Sequence, residues 1–139
     1  MLNVIEKFNQ TVDRPELAKL ILRLGFATMF LLHGVHKALH GTDFVQGLFT
    51  NLGLPAELAY LAYFGEVIAP LAIIAGVFTR LFASVCVGNC IVVMILMHSS
   101  DFFSLTKVGA WSVESIATFF VGFLAIMLLG SGKYAVKAD

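Results

Sequence analysis

Residues 56–78 read AELAYLAYFGEVIAPLAIIAGVF, an apolar run interrupted near its centre by Glu66 and, four residues on, by Pro70. A hydrocarbon core of about 30 Å is spanned by about 20 helical residues, so this run is long enough to cross one. Three more such runs lie at 17–38, 81–98 and 110–130. The chain has 139 residues, 59% hydrophobic and 13% charged, with a mean hydropathy of +0.91. That balance lies far outside a soluble domain's. The pattern predicts one all-α domain over residues 1–139, an integral membrane antiparallel four-helix bundle with short interfacial amphipathic helices. The formal net charge is zero, so nothing points to nucleic acid.

The segments between the runs fit this architecture. Residues 2–12 put Ile5, Phe8 and Val12 on one helical face, as in a helix lying on a membrane surface. Asp13-Arg14-Pro15-Glu16 reads as a helix start, with Asp13 as cap, Pro15 in the first turn and Glu16 closing a capping box. The first apolar run follows this charged start, is too long for a signal peptide and has no small-residue cleavage site behind it, so it is expected to remain in the mature protein. Phe44, Val45, Leu48, Phe49 and Leu52 make residues 43–52 an amphipathic lid, and Pro55 opens the second span. Phe78-Thr79-Arg80 is short enough to make the second and third spans antiparallel neighbours. Aromatic residues recur at Phe102, Phe103 and Trp111, the level of an interfacial belt. Lys7, Arg14, Lys19, Arg80, Lys133 and Lys137 lie on the side of the termini, against Lys37 and Lys107 opposite, which predicts cytoplasmic termini in a bacterial inner membrane. Cys86 and Cys90, four apart in the third run, read as apolar packing residues.

Ionisable side chains inside such runs cost at least about 2.5 kcal/mol on insertion scales and each needs a partner or a role. Arg23, His33, His36, Glu66, His98 and Glu114 are the cases here. Helix rise places Glu66 at the midplane, Arg23 toward the cytoplasm, and His33 and Glu114 in the outer half, with His36, Lys37 and His98 higher still. Pro70 has no N–H for the Glu66 carbonyl and should kink the helix, leaving a carboxyl and a freed carbonyl together. Arg23 and Glu66 are expected to form a structural ion pair. His33, Lys37 and His40 share a helical stripe flanked by His36, and with Glu114 they are expected to form an outward-facing pocket. One cavity beneath the lid is expected to hold His33, His36, Glu66 and Glu114 as ligand-binding residues, with Lys37 and His98 as secondary polar candidates. A metal would want better-defined ligands than two histidines and a carboxylate. Proton handling is the other use of such groups.

Arg23, His33-Gly34-Val35-His36-Lys37, Gly65-Glu66, Gly76-Val77-Phe78-Thr79-Arg80, Glu114 and Gly130-Ser131-Gly132-Lys133-Tyr134, in this order and spacing, resemble the DoxX family over about residues 17–134. The resemblance implies a small inner-membrane protein, related to a subunit of a quinone-linked thiosulfate oxidoreductase and to proteins linked to quinone and oxidative-stress responses. No haem, flavin or nucleotide motif is present, so a redox role would be that of an accessory or quinone-interacting membrane component, with quinone or quinol as its ligand. The candidate partners are the bilayer, a quinone-like small molecule, and a second copy of the chain or a soluble redox protein. The alternatives are a small proton-coupled exporter of hydrophobic compounds, which an Arg23–Glu66 pair would weaken by holding the carboxylate deprotonated, and a non-catalytic membrane scaffold.

Overall fold

The computed structural model describes residues 2–40, 64–98 and 114–139, together with positions 46, 47, 50, 51, 53, 55 and 60. Helix α1 spans Leu2–Val12 and α2 spans Pro15–His40. A π-helical turn at Phe64–Ile68 runs directly into α3, Ala69–Ala75. Helix α4 spans Thr79–His98 and α5 spans Glu114–Leu129. The described residues are thus helical, with one isolated parallel bridge between Val77 and Lys137 and no strand. Among them, Pro15–His36 is long and apolar enough on its own to cross a membrane, while Gly65–Ala75, Thr79–Ile95 and Ser115–Leu129 are shorter apolar helices.

Among the described residues helices α2 to α5 fall on the apolar runs, positions 56–59, 61–63 and 110–113 lying outside the description, and the differences have local causes. Helix α2 starts at Pro15, whose missing N–H is harmless in a first turn. Glu16 does not serve a capping box there. Its Oε2 accepts from the Lys133 N–H at 2.8 Å and its Oε1 from Lys19 Nζ at 3.3 Å, so it ties the start of α2 to the chain beyond α5. The kink expected at Pro70 appears as the π-turn just before it, since a proline cannot supply the α-helical bond to the carbonyl four residues back. Helix α3 stops short of residue 78 because Gly76, at φ 81°, turns left-handed. Its N–H bonds Ile73 O, and the Val77 N–H bonds Ala72 O, a Schellman closure.

The core gathers Ala27 and Phe30 from α2, Ala69 and Ile73 from α3, Ala83, Cys86 and Cys90 from α4, and Phe123 and Ile126 from α5. Buried with it are the polar Arg23, Glu66, Thr79 and Ser131. Large apolar side chains face outward on every helix, among them Ile21, Leu32, Leu71, Leu81, Ile95, Val121 and Leu128. On α1 the outward set is Val4, Ile5, Phe8 and Val12.

Residues 130–139 form a strap across the end of the molecule where α2 begins and α5 ends. Gly130, at φ 82°, closes α5 against the Arg80 side chain. The Val136 and Lys137 N–H groups bond Ala75 O and Gly76 O, both at 3.0 Å, and so satisfy carbonyls at the end of α3. Asp139 holds the far end, its carboxylate accepting from the N–H groups of Arg80 and Ser131, each at 3.0 Å. Burial acts to raise the pKa of this carboxyl, but the bonds from Arg80 and Ser131, with the Arg80 charge behind them, outweigh it and hold Asp139 below the ordinary aspartate range. A carboxylate whose pKa is depressed by folding stabilises the fold above its unfolded pKa, and that contribution is lost as pH falls through the folded value. Thermal unfolding in detergent at stepped acid pH is therefore expected to be steeper for the wild type than for Asp139→Asn. Solvent screening holds the difference to no more than about 1 kcal/mol. Identical acid limbs would show that the Asp139 carboxylate does not anchor the strap.

Candidate functional site

Glu66 lies on the π-turn and is 2% exposed. Two close approaches made through glycines bring its neighbours in. Gly34 of α2 lies directly against it, and a methyl at Gly34 would overlap the Glu66 carbonyl oxygen and come within 2.9 Å of Glu66 Cβ. On the other side Asn89 of α4 packs on Gly65, where a Cβ would sit 3.2 Å from Asn89 Cγ, and from there its Nδ2 donates to Glu66 Oε1 at 3.3 Å. The Cys86 thiol donates to Gly65 O at 3.7 Å just beside it. Three elements thus meet at Glu66, and the Asn89 amide donates to its carboxyl group.

The structure does not bring Arg23 and Glu66 together. The Arg23 guanidinium, 1% exposed, donates from Nε to Ile73 O at 3.0 Å, from Nη2 to Ile74 O at 3.0 Å, and from Nη1 to Ser131 O at 3.1 Å and Tyr134 O at 2.6 Å. Counted along α2 from Arg23 to Gly34, the two groups are separated by about 16 Å of helix rise. The physical reason is local. The last turn of α3 and the strap present carbonyls that no helix can satisfy, and a planar guanidinium reaches several of them at once. Arg23 is a structural clamp, and its charge is spent on backbone dipoles.

His33 and His36 are exposed on α2. The His33 ring meets Phe119 of α5 edge-on, with centroids 5.5 Å apart and planes at 90°. Phe26 and Phe30 continue this seam against Phe119 and Phe123. Because Arg23 reaches Ser131, Phe26 meets Phe123 and His33 meets Phe119, α2 and α5 run in opposite directions. That register sets the Glu114 backbone about level with residues 37 and 38. Gly34 faces the π-turn while His33 faces α5, which is the turn of about 100° between consecutive helical residues. Glu66 and His33 therefore lie at similar depth against different neighbours of α2. The side chains of Glu114, Lys37, His40 and His98, and most of the expected lid at 43–52, lie outside the described residues. Among the described residues no three His, Cys, Asp or Glu side chains come together as a metal site would need.

The sequence profile of the DoxX family matches residues 18–99, more than half of the chain. The chain belongs to the DoxX family. DoxX proteins are membrane-associated, and the matched span runs from the first turns of α2 through α4, taking in Arg23, His33, His36, Glu66 and Asn89. Glu114 and the strap lie beyond it. No curated protein and no solved structure matches this DoxX chain. Sequence reasoning missed Asn89 as part of the site. The signal was present, since Asn89 is the single amide side chain in the apolar run 81–98, and a polar residue at such depth requires a partner.

Proposed function

We propose that this DoxX protein is a multi-pass bacterial inner-membrane protein with cytoplasmic termini, and that it serves as a quinone-interacting membrane component of a redox or oxidative-stress system. The observation that carries this reading is the Glu66 carboxyl, buried on a π-turn and held by the Asn89 amide. An ionisable group at such depth needs a partner or a role, and π-turns inside helices recur at functional sites. Oxidation of a quinol releases protons together with electrons. This chain offers the proton acceptors, and the electrons pass to a redox partner outside it.

The membrane part of the proposal rests on surface and charge. Four elements, α2, the π-turn with α3, α4 and α5, turn large apolar side chains outward and keep Arg23, Glu66, Thr79 and Ser131 inside, a distribution that suits hydrocarbon as solvent. Lys19, Lys133 and Arg80 gather at the strap end through their bonds to Glu16 and Leu129, the clustering expected of a cytoplasmic face. The apolar face of α1 continues this surface as an interfacial helix.

The test is binding. Purified protein in mild detergent is expected to carry quinone that mass spectrometry detects and to bind a tail-less quinone saturably, with Glu66→Gln weakening that binding about tenfold or more. Equal binding by Glu66→Gln, or none by the wild type, would overturn the reading. The proton-coupled exporter gains from one observation, since Arg23 bonds backbone carbonyls and is not the counter-ion that would hold Glu66 deprotonated. Substrate-driven proton flux across sealed vesicles, without quinone binding, would favour it.

A further inference from the structure

We infer that the cavity between the α1–α2 elbow and the strap holds the head group of a phospholipid that carries both a phosphate and a primary ammonium, as phosphatidylethanolamine does. This rests on the membrane placement proposed above and not on the quinone reading.

The cavity has a volume of about 280 Å³ and is lined by residues 13–17 on one side and by Lys133 and Tyr134 on the other. Its two walls are joined through Glu16. Gly132, at φ 73°, runs so close to the first turn of α2 that a Cβ there would lie 2.8 Å from Glu16 Oε2. The next residue, Lys133, donates its N–H to that oxygen at 2.8 Å, and Lys19 Nζ donates to Oε1 at 3.3 Å, so both oxygens of Glu16 are engaged within the chain. The other charges at the cavity are not matched in this way. Among the described residues Asp13 forms no ion pair with Arg14 or Lys133, although all three line one space. Arg14 donates through Nε to Thr11 O at 3.3 Å, and its Nη groups have no acceptor among the described residues. Lys133 Nζ stands 5.3 Å from the centroid of the Tyr134 ring.

This pattern selects a dipolar ligand. Two cations, together with the free N–H groups in the first turn of α2, favour a phosphate. Asp13, on the same wall, favours a cation that can donate hydrogen bonds. A phosphoethanolamine head satisfies both at once. A phosphoglycerol head supplies no cation and would set its phosphate beside Asp13, and the trimethylated ammonium of a choline head has no N–H to donate. The ligand is a lipid because the cavity opens onto an apolar track. Leu17 lines it, and Leu17, Ile21 and Leu24, exposed at i, i+4 and i+7, continue from it along the outer face of α2. A space of about 280 Å³ takes a head group and not a whole lipid. The acyl chains lie along that track.

The experiment offers the full chain, purified in mild detergent, an equimolar mixture of phosphatidylethanolamine, phosphatidylcholine and phosphatidylglycerol with identical acyl chains, and reads the retained lipid by native mass spectrometry. The wild type is expected to retain phosphatidylethanolamine about fivefold or more over each of the others. Asp13→Asn is expected to remove the preference over phosphatidylglycerol while lipid is still bound. Arg14→Gln combined with Lys133→Gln is expected to weaken phosphatidylethanolamine retention about fivefold or more. Both side chains are exposed and the Lys133 N–H to Glu16 is kept, so this variant holds the test intact if Asp13→Asn does not fold. Equal retention of the three lipids by the wild type, a preference for phosphatidylglycerol, or wild-type behaviour in either folded variant would overturn the assignment. So would no retained lipid on a chain that reconstitutes into bilayers, which leaves the membrane placement standing. A chain that stays in solution without detergent would remove both.

Discussion

Arg23→Leu is expected to cost at least about 3 kcal/mol of stability, because it removes the guanidinium from the carbonyls of Ile74, Ser131 and Tyr134, and from that of Ile73, which keeps the Gly76 N–H. A buried carbonyl stripped of its partner loses its desolvation compensation, and here the loss also removes one of the strap's ties to α2, leaving those through Glu16 and through the Val136 and Lys137 N–H groups. Thermal unfolding in detergent should drop by about 10 °C or more. Arg23→Lys should recover little, since an ammonium is a point donor and does not reproduce the planar fork. The double variant with Glu66→Leu separates this account from an ion pair. If Arg23 serves backbone carbonyls, the two losses add within about 0.5 kcal/mol. An ion pair would instead make the double variant more stable than Arg23→Leu alone.

Gly34→Ala should be nearly as damaging, by a different mechanism. The added methyl would overlap the backbone carbonyl of Glu66, and neither partner is the movable end of a flexible side chain. Helix α2 would have to withdraw from the π-turn, opening the packing around Glu66 at about 3 kcal/mol or more. Gly25 of the same helix is the control, because a Cβ there meets nothing within 4 Å. Gly25→Ala should be neutral or slightly stabilising, as alanine is the better helix former. Folded yield and thermal midpoint in detergent report both variants. Equal behaviour of the two would show that α2 does not pack against the π-turn as described.

Which parts of the molecule were legible in the sequence follows from the range of the interactions involved. The helices among the described residues were readable because apolar runs and Pro15 are local signals, and the short turn after Gly76 was readable from its length. The π-turn was legible only as a kink, since Pro70 announces a missing donor but not how the chain accommodates it. Arg23 was recognised as needing a partner and was given the wrong one. Its true acceptors are backbone carbonyls 50 and 108 residues away, and a carbonyl has no residue type to read. Glu16 misled in the same way, because its spacing fits a capping box while its strongest bond goes to the Lys133 N–H, 117 residues on. Glu66 was identified as a candidate from its depth alone, whereas its convergence with Gly34, Gly65 and Asn89 depends on tertiary packing between α2, the π-turn and α4. The shared cavity for His33 and Glu66 was read from depth alone. Similar depth says nothing about azimuth, and adjacent residues of α2 face different neighbours.

The central claim is that the Glu66 carboxyl exchanges protons in response to a quinone. Infrared difference spectroscopy of the purified protein, recorded as bound quinone is electrochemically reduced, reads that group directly. The account predicts a carboxyl C=O stretching band that changes on reduction, shifts in Asn89→Leu, where the hydrogen bond to Glu66 is gone, and is absent in Glu66→Gln. A difference spectrum that Glu66→Gln leaves unchanged in the carboxyl region would contradict it.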